Sequence, residues 1–250
     1  MATPSSSTST RKGNMSWFFS SQVFSVLGNC SVVVKALCAL VCVGYFLSFS
    51  ETAMHVLAIL PGNLLPPNFW VWTMATHNLI ETHWWVMMVD VMVLILYGKL
   101  LEPLWGAQEM VIFYAVVNLV VALLTTLTYL FLYLLVANTD LLFNTHVHGL
   151  AGYLAGFSVS VKQTMPDHVI INSSFGKLRN GHVPLLMVVV AFVARIVGAV
   201  DPPFPIMFAW GFTISWVYLR FYQRHSNGTR GDTADSFAFA RYTCQIRQIY

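Results

Sequence analysis

Six long apolar runs constrain this chain more than any other feature. They cover about residues 31–50, 83–98, 110–136, 146–162, 183–200 and 204–221. Roughly 20 apolar residues in helical form cross the hydrocarbon core of a bilayer. Backbone groups in lipid must be hydrogen-bonded internally, so runs of this kind are expected as helices. Only 9% of the 250 residues are charged, against about 25% in a soluble domain. The expected fold class is an all-α membrane protein, a bundle of six transmembrane helices. A net charge of +3 with scattered cations gives no basis for binding nucleic acid.

The connections set the orientation. Lys and Arg occur in the amino tail, in the second and fourth loops and in the carboxyl tail, and the first, third and fifth loops contain none. Basic residues stay on the cytoplasmic side, which puts both termini in the cytoplasm. The first loop, with ILPGNLLPPNFWVW at residues 59–72, is too apolar for a free aqueous loop and too broken by proline for a span. It is expected to lie in the membrane interface. Three parts follow: a disordered, Ser/Thr-rich cytoplasmic tail over 1–28, a membrane domain over 29–222 and a second cytoplasmic tail over 223–250. The four cysteines form neither a disulfide framework nor a zinc pattern, and no cofactor or metal is expected.

Four groups of residues stand out from the apolar background. Trp70, Trp72 and Thr73 precede His77 and His83 at the entrance to the second run. Glu102, Trp105 and Gly106 lie where that helix must end and the third begin. His148, Gly149, Ala151, Gly152 and Gly156 open the fourth run. Gly152 and Gly156 form G-x-x-x-G, a spacing that lets helices approach closely in lipid, where van der Waals packing holds them together. Asp90 and Arg195 are the intramembrane charges. Asp90 sits about seven residues into the second run, roughly 10 Å deep at 1.5 Å per residue, and Arg195 lies at similar depth in the fifth. A mid-membrane charge costs about 2.5–3.5 kcal/mol on insertion scales. Two expectations stand: Asp90 and Arg195 pair or line a polar crevice, or Arg195 snorkels outward. His55, His77, His83, His146 and His148 all fall on the lumenal side. They are expected either to anchor at the interface or to sense pH.

These motifs resemble the rhomboid superfamily, in which W-x-x-T leads to a histidine-bearing second helix, E-x-x-W-G leads into the third, and G-x-S-G opens the fourth. The third position of G-x-S-G is the nucleophile in rhomboid proteases, and here it is Ala151. The early sixth helix, where the family carries its partner histidine, reads PIMFAWGFTIS, and Met87 stands where an asparagine would support the oxyanion. Nucleophilic catalysis needs both an attacking atom and a base, so no catalytic residue is expected. The blocks VVVKALCAL, PPNFW, LLEPLWGA, VYLRFYQRHS and RGDTADSFAFA are more specific. They resemble the transmembrane protein 115 family, a group of Golgi rhomboid-like pseudoproteases. This resemblance implies a multipass Golgi membrane protein that supports Golgi-to-endoplasmic-reticulum retrograde traffic. It also implies self-association and contact with the conserved oligomeric Golgi complex. The fold implied is a six-helix rhomboid-like bundle, with helices two and five flanking a lateral entrance for transmembrane client proteins. The alternatives are an active intramembrane hydrolase with an atypical catalytic set, or a small-solute transporter.

Overall fold

A computed structural model of the chain describes residues 31–165, 169–173, 176–224, 228–232, 234 and 237. The expected amino tail lies outside the described residues, as does the chain beyond 237. The architecture is mostly helical. The helices are α1 (Val32–Leu47), α2 (Glu51–Leu57), α3 (Thr73–Thr76), α4 (Trp84–Trp105), α5 (Ala107–Val136) and α6 (Asp140–Phe143). They continue with α7 (Ala151–Thr164), α8 (Val183–Ile196) and α9 (Phe204–Val217), and a π-helical turn extends α9 over Tyr218–Tyr222. A short antiparallel hairpin, β1 (Val169–Ser173) and β2 (Gly176–Arg179), joins α7 to α8.

Local chemistry sets the helix ends. Ser31 caps α1, its hydroxyl accepting from the amides of Val33 and Val34, which satisfies donors that have no partner inside the helix. Gly106 takes φ +82° and separates α4 from α5 with one residue, a conformation that carries little strain only for glycine. Glu102 and Trp105 therefore lie in the last turn of α4, and the Trp105 ring meets Phe113 of α5 edge-on at 5.4 Å. Gly149, at φ +100°, keeps the helix from starting before Ala151.

Among the described residues two helices, α4 and α5, are long and apolar enough to cross a membrane by length and composition, while α1 and α8 are shorter apolar helices. The 14 residues of α7 extend only about 21 Å at 1.5 Å per residue. This central helix is buried for most of its length, from Ala151 to Ser160 and again at Lys162. It packs most extensively on α9, and also touches α8, α5 and α4. A helix enclosed by protein has no lipid to face, so it needs neither a full apolar run nor the full bilayer length. The extensive contacts of α4 are with α1, α5 and α7, not with α8 or α9.

The first loop is folded onto the bundle. Ile59 and Val147 exchange backbone hydrogen bonds of 2.9 and 2.8 Å. The Thr76 hydroxyl donates to the Leu57 carbonyl at 2.9 Å, and Asn78 donates to the Tyr114 hydroxyl on α5 at 2.8 Å. The segment after α9 does not leave the bundle at residue 223 as the sequence suggested. Arg220 donates to the carbonyls of Asp232 and Ala234 at 2.7 and 2.8 Å. The Trp216 indole donates to the Phe237 carbonyl at 3.0 Å, and Phe237 is 2% exposed within the hydrophobic core.

Candidate functional site

Two parts of the bundle hold the residues singled out by the sequence. One is the α7–α9 crossing. Ala151, 1% exposed, is the first residue of α7. A Cβ on Gly152 would stand 2.7 Å from Val121 of α5, and one on Gly211 of α9 would run into the backbone of Gly152. A Cβ on Gly156 would meet the Ser215 hydroxyl and Phe113. The glycines therefore bring α5, α7 and α9 into close contact. No histidine occurs anywhere in α9. Met87 packs, half-buried, against the core. Ser158 and Ser160 donate to carbonyls of their own helix at 2.6 and 2.8 Å, so neither hydroxyl is paired with a base.

The other part is a polar cleft where the start of α4, the segment before α7 and the α8–α9 connection meet. It is lined by Glu81, His83, Val86, His148, Val200, Asp201, Pro203 and Phe204. One carboxylate oxygen of Asp201 organises it. The Thr82 hydroxyl donates to Oδ2 at 2.8 Å, with His83 Nδ1 and His148 Nε2 at 3.4 and 3.5 Å. Thr82 Oγ1 also bonds His83 Nδ1 at 2.8 Å. Because the hydroxyl proton goes to Asp201, His83 must be the donor in that bond. Asp201 thus ties the connections that precede α4 and α7 to the one that follows α8. It is also 38% exposed at its side chain, so the ring is reachable from solvent.

Beneath the cleft the chemistry is drier. Glu81 is 3% exposed, and its Oε1 accepts the Leu150 amide at 3.0 Å. A Cβ on Gly149 would stand 2.6 Å from the same oxygen, so both the backbone angle and the space require glycine there. Burial pushes the Glu81 carboxyl up to about 7, against the smaller opposing effects of Asp90 and the Leu150 amide. His77 is fully buried. Its Nδ1 lies 3.0 Å from the Met74 carbonyl, which fixes Nδ1 as the donor, and its own carbonyl receives the Gly149 amide at 2.9 Å. Burial pushes this imidazole down to about 4, so His77 is neutral throughout the physiological range and serves as a packing element.

The remaining motif residues are dispersed. Trp70 and Trp72 stack at 5.5 Å, and the Trp72 indole donates to the Val56 carbonyl at 3.2 Å. Thr73 is buried and donates to the Trp70 carbonyl at 2.6 Å. His55 and His146 lie edge to face at 5.5 Å. The reading of His146 and His148 as residues on one helix is corrected: both precede α7, because the Ile59–Val147 bridge holds that segment extended. The expected Asp90–Arg195 pair is corrected as well. Asp90 is fully buried and faces Glu81, whereas Arg195 is exposed and lies near Tyr129 of α5. No ion pair joins them among the described residues, and α4 and α8 share no extensive contact. Reading by sequence passed over Glu81, Thr82, Asp201, Glu109 and Gly211. The available signal was that Glu81 and Asp201 are acids in connections without Lys or Arg. Glu109, 7% exposed, accepts from the Tyr218 hydroxyl at 2.6 Å and the Arg224 amide at 3.3 Å, closing the opposite end of the bundle.

Comparison with known proteins places this geometry. The family model described as eukaryotic integral membrane protein (DUF1751) matches residues 35–249. Transmembrane protein 115 of Mus musculus is 46% identical over 224 residues, and that of Homo sapiens 45%. In both cases the alignment covers 90% of this chain and 63% of the relative, so this chain spans less than two thirds of their length. Rhomboid-like protein 19 of Arabidopsis thaliana is 28% identical over 220 residues, covering 87% of this chain and 70% of that protein. The polar cleft and the glycine-packed crossing of α7 and α9 thus lie in an integral membrane protein with rhomboid-like relatives, and the chain belongs to the eukaryotic integral membrane protein family that includes transmembrane protein 115.

Proposed function

We propose that this protein is a non-catalytic, six-span rhomboid-like membrane protein of the Golgi, with both termini in the cytoplasm and the first loop in the lumenal interface. It supports Golgi-to-endoplasmic-reticulum retrograde traffic by holding transmembrane clients or tethering factors, the conserved oligomeric Golgi complex among them, and it self-associates. The observation that carries the reading is the pairing of an intact scaffold with vacant chemical positions. Gly152, Gly156 and Gly211 keep α7 and α9 in backbone contact, while position 151 is alanine and α9 has no histidine. The trafficking role, the compartment and the partners come from the resemblance to the transmembrane protein 115 family. The polar cleft supports client binding, because it lies between the starts of α4 and α9, and α4 lacks extensive contact with α8 and α9. Both helices carry exposed apolar side chains, among them Met88 and Met92 on α4 and Val189 and Val193 on α8.

The hydrolase alternative requires an activated hydroxyl, and Ser158 and Ser160 already donate within their own helix. Ala151→Ser restores only one of the two missing parts. We therefore expect no cleavage of single-span substrates by the Ala151→Ser variant in proteoliposomes; product accumulation above the level of the unaltered chain would overturn the pseudoprotease reading. Client binding is tested with photocrosslinking residues placed at Met88, Met92, Val189 and Val193 in Golgi membranes. Adducts with membrane-spanning proteins are expected at these positions and not at Leu134 of α5, which is 71% exposed. Lipid adducts alone at all five positions would defeat the proposal.

A further inference from the structure

Two carboxyls lie buried against each other where α4 meets the start of α7. Glu81 is 3% exposed and Asp90 is fully buried. The charged groups that act on Glu81 are Asp90 and Asp201, and the one that acts on Asp90 is Glu81. All of these are acids. Among the described residues, Glu81 receives one amide, that of Leu150, and the oxygens of Asp90 accept nothing from any group other than the carboxyl they face. Two like charges sharing a dry site cannot both persist. Isolated buried charges neutralise rather than bear the desolvation penalty. The pair must therefore hold a positive species between its oxygens, and the smallest one available is a proton.

We propose that Glu81 and Asp90 form a buried proton-binding site that locks α4 to the start of α7 beneath the polar cleft, and that loss of this proton releases the lock. With one proton held, the carboxyls hydrogen-bond each other, and Glu81 keeps the Leu150 amide and its seat against Gly149. Without it, two carboxylates repel. Asp201 adds to that repulsion from the cleft, and the Glu81–Leu150 tie loosens. The direction follows from linkage. A carboxyl that binds its proton more tightly in the folded state than in the unfolded chain contributes stability at low pH, and that contribution is lost as the pH rises through the folded value. The site is closed in an acidic lumen and opens toward neutral and alkaline pH. His77, and His83 and His148 on the cleft, are the titratable neighbours on the adjoining segments. Buried neutral His77 acts in the opposite sense: its contribution is full above the ordinary imidazole value of 6.5 and is lost as the pH falls toward about 4. This inference goes beyond the trafficking role and stands whether or not the cleft binds clients.

The test is thermal unfolding of the full chain in lipid nanodiscs between about pH 6 and about pH 8, the interval through which a carboxyl raised toward neutrality titrates. The midpoint of the unaltered chain is expected to fall as the pH rises. Asp90→Asn and Glu81→Gln are each neutral mimics of the protonated state, and Gln retains an oxygen for the Leu150 amide. Each alone leaves one buried carboxyl and is expected to reduce the slope, and the two together to flatten the profile at its acidic level. Difference infrared spectra of the unaltered chain give a readout that does not depend on the variants folding. A protonated-carboxyl carbonyl band should be present at the acidic end, vanish at the alkaline end and be absent when Glu81→Gln and Asp90→Asn are combined. A pH-independent midpoint in the unaltered chain, an unchanged slope in both variants, or the absence of that band would each overturn the proposal. Recovery of the acidic midpoint at alkaline pH on adding sodium or calcium would assign the space to a metal cation and overturn the proton.

Discussion

Gly211→Ala lowers the stability of the bundle by an amount at the upper end of the range for an overpacked core, about 1–3 kcal/mol. The new methyl would run into the carbonyl oxygen, Cα and carbonyl carbon of Gly152. All three are backbone atoms of the central helix, so no side-chain rotation relieves the clash and α9 has to move away from α7. That displacement reaches Ser215, which sits against Gly156 one turn further along the same crossing. Gly198→Ala is the matched control. Gly198 has φ +79° but open space around it, so an alanine there costs only the left-handed backbone, roughly 1–2 kcal/mol. The measurement is the midpoint of denaturation in a mild detergent for both variants. A Gly211→Ala chain as stable as the Gly198→Ala chain would show that α7 and α9 are not in backbone contact.

Phe237→Ala should destabilise by about 3–5 kcal/mol, the usual range when a buried phenylalanine is truncated and a cavity remains. Phe237 lies well past the last helix, yet it is 2% exposed and belongs to the core. Its backbone carbonyl accepts from the Trp216 indole, a bond the substitution preserves, so the loss isolates the contribution of the ring. The Arg220 guanidinium holds the strap at Asp232 and Ala234. Truncation after residue 229 removes these contacts together and is expected to be at least as damaging. Thermal melting of the purified chain reads both changes. Melting unaltered by Phe237→Ala would mean that the tail does not dock.

The sequence carried the architecture further than it carried the site. The apolar runs lead to α1, α4, α5, α7, α8 and α9 within a few residues, since hydrophobic length is a property of the chain alone. The α4–α5 boundary was equally legible: Gly106 after Glu102 and Trp105 marks a position that needs φ +82°. The shortness of α7 was harder to read. Its apolar run begins at His146, but Val147 is taken by a bridge to Ile59, a residue in another connection. The carboxyl segment misled for a related reason. RGDTADSF reads as polar tail, and only its terminal phenylalanine reveals a core contact.

Partnership was the point at which reading by residue failed. Asp90 and Arg195 match in depth and are opposite in sign, which made an ion pair attractive. Depth along two helices says nothing about whether those helices touch, and α4 packs on α1, α5 and α7 instead. Asp90 faces another acid, Glu81, nine positions earlier in the chain.

By itself the sequence determined that the chain is an all-α membrane protein, because too few charges and too much apolar length leave no alternative in water. It also fixed alanine at position 151 and left α9 without a histidine. The tertiary structure alone decided which small residues meet, that Asp201 gathers Thr82, His83 and His148, and that two acids share one dry site. The physical reason is range. Hydropathy and backbone preference act within a few residues, whereas burial and charge interaction depend on the neighbours that folding supplies from anywhere in the chain.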